Sequence, residues 1–330
     1  MITIRDVAKA SGFSVTTVSR IFSGDPDFHA SPETKQKILD TANELGYSYK
    51  SRKHYLNIGC VMSITYSYSD PYFIDILSGI QSFCDKHNAS ISLIISYAQC
   101  QELSPSLQKR IQKLDGLIIT ELPKERVDYF KNLGKKIVFV DNPMNGYCSV
   151  GFDVVYANEL IMRHLIKRGY KRIAYIGGPT DENGMQTEFD SSYRLMVYRE
   201  TLRKANITYD PSIIFNCMWD TQQCVAILKS LFSANRKIDA IFAGSDSLAT
   251  VIIRQLNTLS IRCPEDIGVV GFNDIEVSKD ITPSLTTVHL PTRDMGETAA
   301  KILISQITEN TVDTMHYLLP VKLVVRESTK

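Results

Sequence analysis

The sequence predicts an all-α helix-turn-helix headpiece joined to an α/β core whose two lobes are built on doubly wound parallel sheets. Three observations carry that expectation. Residues 1–47 hold three amphipathic segments punctuated by capping residues, glycines and prolines. From Asn57 onward, short apolar runs alternate with helical stretches, the rhythm of parallel sheets covered on both faces. That alternation comes in two runs of similar size, and 330 residues are enough for each to bury its own core. The expected division is a helical headpiece at 1–47, a short basic linker at 48–57, and an α/β region of two lobes at 58–330.

In the headpiece, Thr3 with Asp6 three positions on reads as a capping box, and Gly12 ends that first helix. Ser14 caps a second helix from Val15 to about Phe22, stopped by Gly24-Asp25-Pro26. Ser31-Pro32-Glu33 starts a third, whose Ile38, Leu39, Ala42 and Leu45 form one buried stripe before Gly46. In the second helix Val18 and Ile21 face inward, so Val15, Thr16, Ser19 and Arg20 face out. An outer face of small and β-branched residues lets a helix lie deep in a major groove, where Val and Thr methyls meet thymine and Arg forks onto guanine. The Ser14, Thr17 and Ser19 hydroxyls suit phosphates, with Thr3 a further DNA-contact candidate. The same spacing would also suit a plain three-helix bundle with a solvated face.

Beyond the linker, "NIGCVMSIT", "SISLIISY", "LDGLIIT" and "KKIVFVD" read as strands, with "YFIDILSGIQSFCDKH" as an amphipathic helix among them. After "CSVGFD" the rhythm returns with "KRIAYIGG", "AIFAG" and "IGVVGF". Ligands in open α/β sheets bind beyond the carboxyl ends of the strands. Ser63, Tyr66, Asp153, Ser245, Asp246, Asn273 and Asp274 all follow apolar runs directly. Arg194, Tyr72 and Phe73 add the charge and aromatic faces that suit a small sugar. Asp246 and Asp274 could equally be helix caps or turn residues.

Composition narrows the function. The net charge is only +1, but residues 1–55 carry eight Lys/Arg against six Asp/Glu, a basic excess at the headpiece end. Seven scattered cysteines with no Cys-x-x-Cys pair read as reduced thiols, so neither disulfides nor a metal site is expected. "MITIRDVAKA" is no signal peptide and no apolar run would cross a bilayer, so a cytoplasmic protein with no membrane partner is expected. No Gly-x-Ser-x-Gly, P-loop or His-Glu-x-x-His is present, "GGP" is no dinucleotide fingerprint, and His164 and His289 are given no catalytic role. No catalytic residue and no cofactor are therefore expected.

"ITIRDVAKASGFSVTTVSRIFSG" followed by "ETKQKILDTANELGY" resembles the N-terminal signature of the LacI/GalR family of bacterial transcriptional repressors. Looser matches continue in "HLIKRGYKRIAYIGG", "AIFAGSDSLA", "IGVVGFNDIEVSKDITPSLTTV" and "LLPVKLVVRES". Within the family, "SDPYF", Asp153 and "FNDI" are similar to the galactose-operon and evolved-β-galactosidase repressors. The resemblance implies a periplasmic-binding-protein-like clamp with crossovers near 154, 287 and 312. It also implies operator DNA as partner, a homodimer, and a small sugar effector, galactose or a galactoside. Arg194 and Asn273 fall on the family's effector positions, and Trp219 lies within a residue of one where relatives stack an aromatic on the sugar. The family's hinge helix has an Ala-Arg-x-Leu core, which "SYKSRKHYLN" at 48–57 lacks. Lys50, Arg52 and Lys53 are accordingly read as phosphate contacts or as a solvated linker, and Leu56 as core. Lys330 follows "YLLPVKLVV" without a leucine-heptad tail, so a tetramer is not expected. The alternatives are a sugar-binding protein of a transport or sensing system, and a regulator of this type answering a non-galactoside or phosphorylated effector.

Overall fold

The structure is a computed structural model that describes residues 2–25, 28–47, 55–62, 71–120, 122, 124–179, 181–182, 185–186, 188–234, 237–312 and 314–330. The chain forms two compact units, Met1–Leu56 with Asp85–Ser90, and Asn57–Cys84 with Ile91–Lys330.

The first unit carries α1 (Ile4–Ser11), α2 (Val15–Ser23) and α3 (Pro32–Glu44). Thr3 starts α1 by donating both its hydroxyl and its N–H to the Asp6 carboxylate, each at 2.7 Å. Those bonds, the hydroxyl's first, hold Asp6 below the ordinary carboxylate range. Gly12 closes the helix at φ 81°, a conformation that a Cβ would strain. Ser14 caps α2 by accepting the Thr17 N–H at 3.0 Å, and Ser31 caps α3 by accepting that of Thr34 at 3.2 Å. Val7, Ala8, Val18, Ile21, Phe22, Ile38 and Ala42 make the core between the helices. Fully buried Val18 and Ile38 each contribute about 1.5–3 kcal/mol. With Val18 and Ile21 committed inward, Val15, Thr16, Ser19 and Arg20 stand exposed on the opposite face.

β1 (Leu56–Met62) takes up Leu56 and Asn57, which the sequence reading assigned to the linker, and Leu56 is buried. Lys50, Arg52 and Lys53 lie outside the described residues. The chain continues through α4 (Pro71–Lys86), β2 (Ala89–Ser96), α5 (Tyr97–Gln101), α6 (Pro105–Gln112), β3 (Gly116–Ile119), α7 (Val127–Lys131), β4 (Lys136–Val140) and β5 (Cys148–Phe152). There follow α8 (Val154–Lys167), β6 (Ile173–Gly177), β7 (Asp181–Glu182), β8 (Met185–Gln186), α9 (Tyr193–Lys204), β9 (Ile214–Asn216), α10 (Thr221–Ser233), β10 (Ala240–Ala243), α11 (Asp246–Thr258) and β11 (Gly268–Val270). The chain closes with β12 (Thr287–His289), α12 (Thr292–Thr308), β13 (His316–Leu319) and β14 (Lys322–Val324).

One lobe is built on a sheet of order β13-β5-β4-β3-β1-β2, in which β1–β3, β3–β4, β4–β5 and β5–β13 pair in parallel. The other has the parallel order β11-β10-β6-β9. The chain crosses between the lobes after β5, between β12 and α12, and between β13 and β14. The last crossing, expected near 312, falls at Pro320, because "YLLPVKLVV" is two strands rather than one. Proline brings no N–H to a ladder, and the pairing changes partner there, from β5 to β12. α12 returns to the first lobe, where a Cβ on Gly79 would lie 2.0 Å from the Arg293 carbonyl oxygen, so α4 and α12 touch backbone to backbone. The seven cysteines are buried, and burial raises the Cys217 thiol to about 11. His164 is also a core residue, its Nε2 2.9 Å from the Thr329 hydroxyl, and burial, then Arg168 and Lys167, lowers its pKa.

Candidate functional site

Two places concentrate unspent chemistry. The first is the outward face of α2. Val15 is 42% exposed and the Arg20 side chain 51%. Arg20 Nε lies 3.5 Å from Asp25, and its guanidinium sits 5.5 Å from the Phe28 ring centroid. An exposed pair of this kind is worth about 0–1 kcal/mol, so the guanidinium is oriented without being locked. The Ser14 and Thr17 hydroxyls are 2.9 Å apart; of their two protons one lies between them and one remains to donate outward. Thr16 and Ser19 are exposed beside them. Thr3 is exposed at the start of α1. Its N–H and hydroxyl both donate to Asp6, so in this structure it serves as the cap of α1.

The second place is the seam between the lobes, called the cleft below, where Phe152 at the end of β5 and Phe272 just after β11 bring their rings to 6.2 Å. On the first lobe Tyr72 and Phe73 open α4 edge to face at 5.2 Å, and the Tyr72 hydroxyl donates to Asp141 Oδ2 at 2.5 Å. Asp141 follows β4 at φ 68° and stands open to the cleft, yet protein atoms crowd around its carboxyl. That crowding raises its pKa, with the Tyr72 bond and the Arg194 charge opposing. Asp153 follows β5, is exposed, and caps α8 by accepting the Tyr156 N–H at 2.8 Å.

On the second lobe Arg194, in the first turn of α9, is 9% exposed. Its Nη1 donates to the Gly244 carbonyl at 2.8 Å, and its guanidinium lies 3.9 Å from the Phe272 ring centroid and 5.7 Å from that of Trp219. Ser245, half-buried, caps α11 by accepting the Leu248 N–H at 3.3 Å. Asn273 is held at φ 121°, and its half-buried side chain makes no hydrogen bond among the described residues. Strain of that kind costs about 1–3 kcal/mol and persists where the surroundings impose it.

Three other candidates are committed to the protein itself. Asp246 is fully buried: Oδ1 accepts from the Thr287 hydroxyl at 2.6 Å, and Oδ2 from the Ile275 N–H and the Ser278 hydroxyl, both at 2.9 Å. Burial raises its pKa against those donors. It pins the turn after β11 to α11 and β12, and cannot touch a ligand. Asp274 lies between Arg326 Nη2 at 2.7 Å and His289 Nδ1 at 3.0 Å, tying the same turn to the C-terminal segment. The Trp219 indole N–H is bonded to the Pro179 carbonyl at 2.7 Å. A Cβ on Gly178 or Gly244 would come within 2.5 or 2.9 Å of its ring, so Trp219 is a wall of the cleft behind Arg194. Ser63 and Tyr66 lie outside the described residues. Asp141 and Phe272 escaped the sequence reading, although Asp141 follows "KKIVFV" as directly as Asp153 follows its own strand. Among the described residues no His, Cys, Asp and Glu cluster could hold a metal, and no helix is long and apolar enough to cross a membrane.

Residues 3–49 match the family model of bacterial regulatory proteins of the lacI family, and residues 162–329 match that of the periplasmic binding protein-like domain. The chain is 28% identical to the ribose operon repressor of Halalkalibacterium halodurans, over 100% of this chain and 98% of that one. It is 29% identical to the HTH-type transcriptional regulator GalR of Streptococcus thermophilus, over the full length of both. A solved transcriptional regulator CelR–cellobiose complex is 26% identical with a TM-score of 0.69, covering 99% of this chain and 100% of that one. These names do not single out the galactose branch that "SDPYF" and "FNDI" resemble.

Proposed function

Because the chain belongs to the lacI family of bacterial regulatory proteins, we propose that it is a transcriptional repressor that grips operator DNA through α2 and releases it when galactose or a β-galactoside enters the cleft. It is a regulator and not an enzyme, like the relatives it matches. The observation that carries the reading is Arg194, which one chain holds between two aromatic rings at the mouth of two parallel sheets while an unspent face of α2 presents Arg20.

On the DNA, Val15 and Thr16 meet thymine methyls, Arg20 forks onto a guanine, and Ser14, Thr17 and Ser19 contact phosphates, joined by Lys50, Arg52 and Lys53 of the linker. One such module reads too few base pairs to be selective, so two copies act as a homodimer on paired half-sites in the cytoplasm. Outward-facing Ile74 and Ile94 supply apolar positions for that pairing. In the cleft Asp153, Arg194, Asn273 and Asp141 hydrogen-bond the sugar, with Tyr72, Phe73 and Trp219 as its aromatic walls and Ser245 at the edge. Release needs the sugar to favour one arrangement of the lobes; a coupling of about 1–3 kcal/mol is usual, and near-complete switching takes about 5.5 kcal/mol.

A second reading, a sugar other than a galactoside, is supported by the ribose operon repressor and the cellobiose complex among the similar proteins. Gel shifts on the protein's own upstream DNA, titrated with galactose, lactose, ribose, cellobiose and glucose, separate the two. Release by galactose or lactose supports the first reading, release by ribose or cellobiose alone selects the second, and no retarded DNA at any sugar level rejects both.

A further inference from the structure

We propose that the Tyr175 hydroxyl and Arg194 Nε form the floor of the cleft and together receive one oxygen of the bound sugar, which makes Tyr175 a specificity-determining residue. This rests on the reading that the cleft holds a sugar.

β6 alternates its side chains. Ala174 and Ile176 join the core that includes residues of α10 and α11, while Tyr175 points to the other face, between the rings of Phe189 at 5.9 Å and Phe242 at 5.2 Å. From there it leans along the strand toward the carboxyl end, since a Cβ on Gly177 would lie 2.4 Å from its hydroxyl. The residue is 0% exposed, yet the hydroxyl has no hydrogen-bond partner among the described residues. Tyr198, as deeply buried in the same lobe, donates its hydroxyl to the Ile173 carbonyl at 2.6 Å. A tyrosine needed only for its ring would be served by phenylalanine, as Phe242 beside it is, without leaving a polar atom unmatched.

Arg194 supplies the second unmatched atom. Its Nη1 is bonded to Gly244, but its Nε is buried without a partner among the described residues. The two atoms flank one glycine contact: the Tyr175 hydroxyl lies against Gly177, Arg194 is bonded to Gly244, and a Cβ on Gly244 would lie 3.2 Å from the Gly177 Cα. Burial drives the Tyr175 phenol up to about 12, with the Arg194 charge opposing, as proximity of the two groups requires. Nε–H can only donate, and the phenol can donate beside it, so the complement is an oxygen with two lone pairs. A sugar hydroxyl or ring oxygen fits, and an ammonium group does not.

The test is calorimetry on full-length wild type and Tyr175→Phe with galactose, lactose, ribose and cellobiose, then with monodeoxy derivatives of whichever sugar binds. The variant should bind about tenfold more weakly. One monodeoxy derivative should lose about as much on wild type and nothing further on the variant. The sugar-free variant should melt no lower than wild type, since the lost hydroxyl held nothing in the fold. A sugar that binds both proteins equally overturns the inference while leaving the cleft reading intact. A lowered Tm with equal loss on every derivative overturns it in favour of a packing role. No heat from any sugar on wild type removes the sugar reading, and this inference with it.

Discussion

The outer face of α2 and the strand ends of the cleft are both assembled from small polar and aromatic side chains, but they dispose of them differently. On α2 the outward residues have little to do inside the protein; among the described residues the Arg20 side chain meets Asp25 and Phe28, and Thr16 and Ser19 stand exposed. At the cleft, Asp246 and Asp274 are consumed by bonds to the turn after β11, β12 and the C-terminal segment, while Arg194 keeps Nε, and Asn273 its side-chain amide, without a partner among the described residues. A helix shows its free side by periodicity alone. A strand end shows only that a residue is in the right place; its freedom depends on which distant segment folds over it.

The largest effect that would break this comparison is at Asp246. Asp246→Ala strands the Ile275 amide and the Ser278 and Thr287 hydroxyls, and should cost about 3–5 kcal/mol in urea unfolding, with the sugar affinity of the folded protein unchanged. Full stability with lost sugar binding would return Asp246 to the ligand set. Arg194→Ala comes next: loss of a charged partner to sugar hydroxyls costs about 1.5–3 kcal/mol, so sugar binding should weaken tenfold or more in calorimetry while operator affinity holds. Arg20→Ala should cost about 1–3 kcal/mol on the operator and relax one base position, with little change on random DNA. An equal loss on both would make Arg20 a phosphate contact.

The smallest effect lies away from both regions, at His164. Burial lowers its folded pKa below the ordinary 6.5, so as pH falls the unfolded chain takes up the proton first. Its contribution to stability is therefore complete above about pH 6.5 and declines below it, by at most about 1.4 kcal/mol per pH unit. Thermal melts of His164→Gln should show a flatter acid limb than wild type. An unchanged limb would mean that His164 does not titrate between the two states.

Much of the fold was legible because caps, glycines and apolar periodicity are local. Thr3, Ser14, Ser31 and Gly12 mark the headpiece helices, and Val18 and Ile21 fix the orientation of α2. The cleft was legible in outline, since the rule of strand ends selected Asp153, Ser245 and Asn273. It could not reveal that Asp246 meets Thr287, 41 positions away, or that Arg326 reaches Asp274 across 52. Nor could spacing show that Pro320 splits one apolar run between two sheets, or that Phe272 lies against the Arg194 guanidinium. Each of these depends on contacts made only after the lobes have formed.

The central claim, that one chain couples the free face of α2 to the cleft, is tested most directly by measuring both affinities in both states. Operator binding is followed by fluorescence anisotropy with and without saturating sugar, and sugar binding by calorimetry with and without operator. Thermodynamic linkage requires the two ratios to agree, and the account predicts the same weakening, about 5- to 150-fold, in each. Operator affinity that does not change with a sugar bound in the cleft would contradict it.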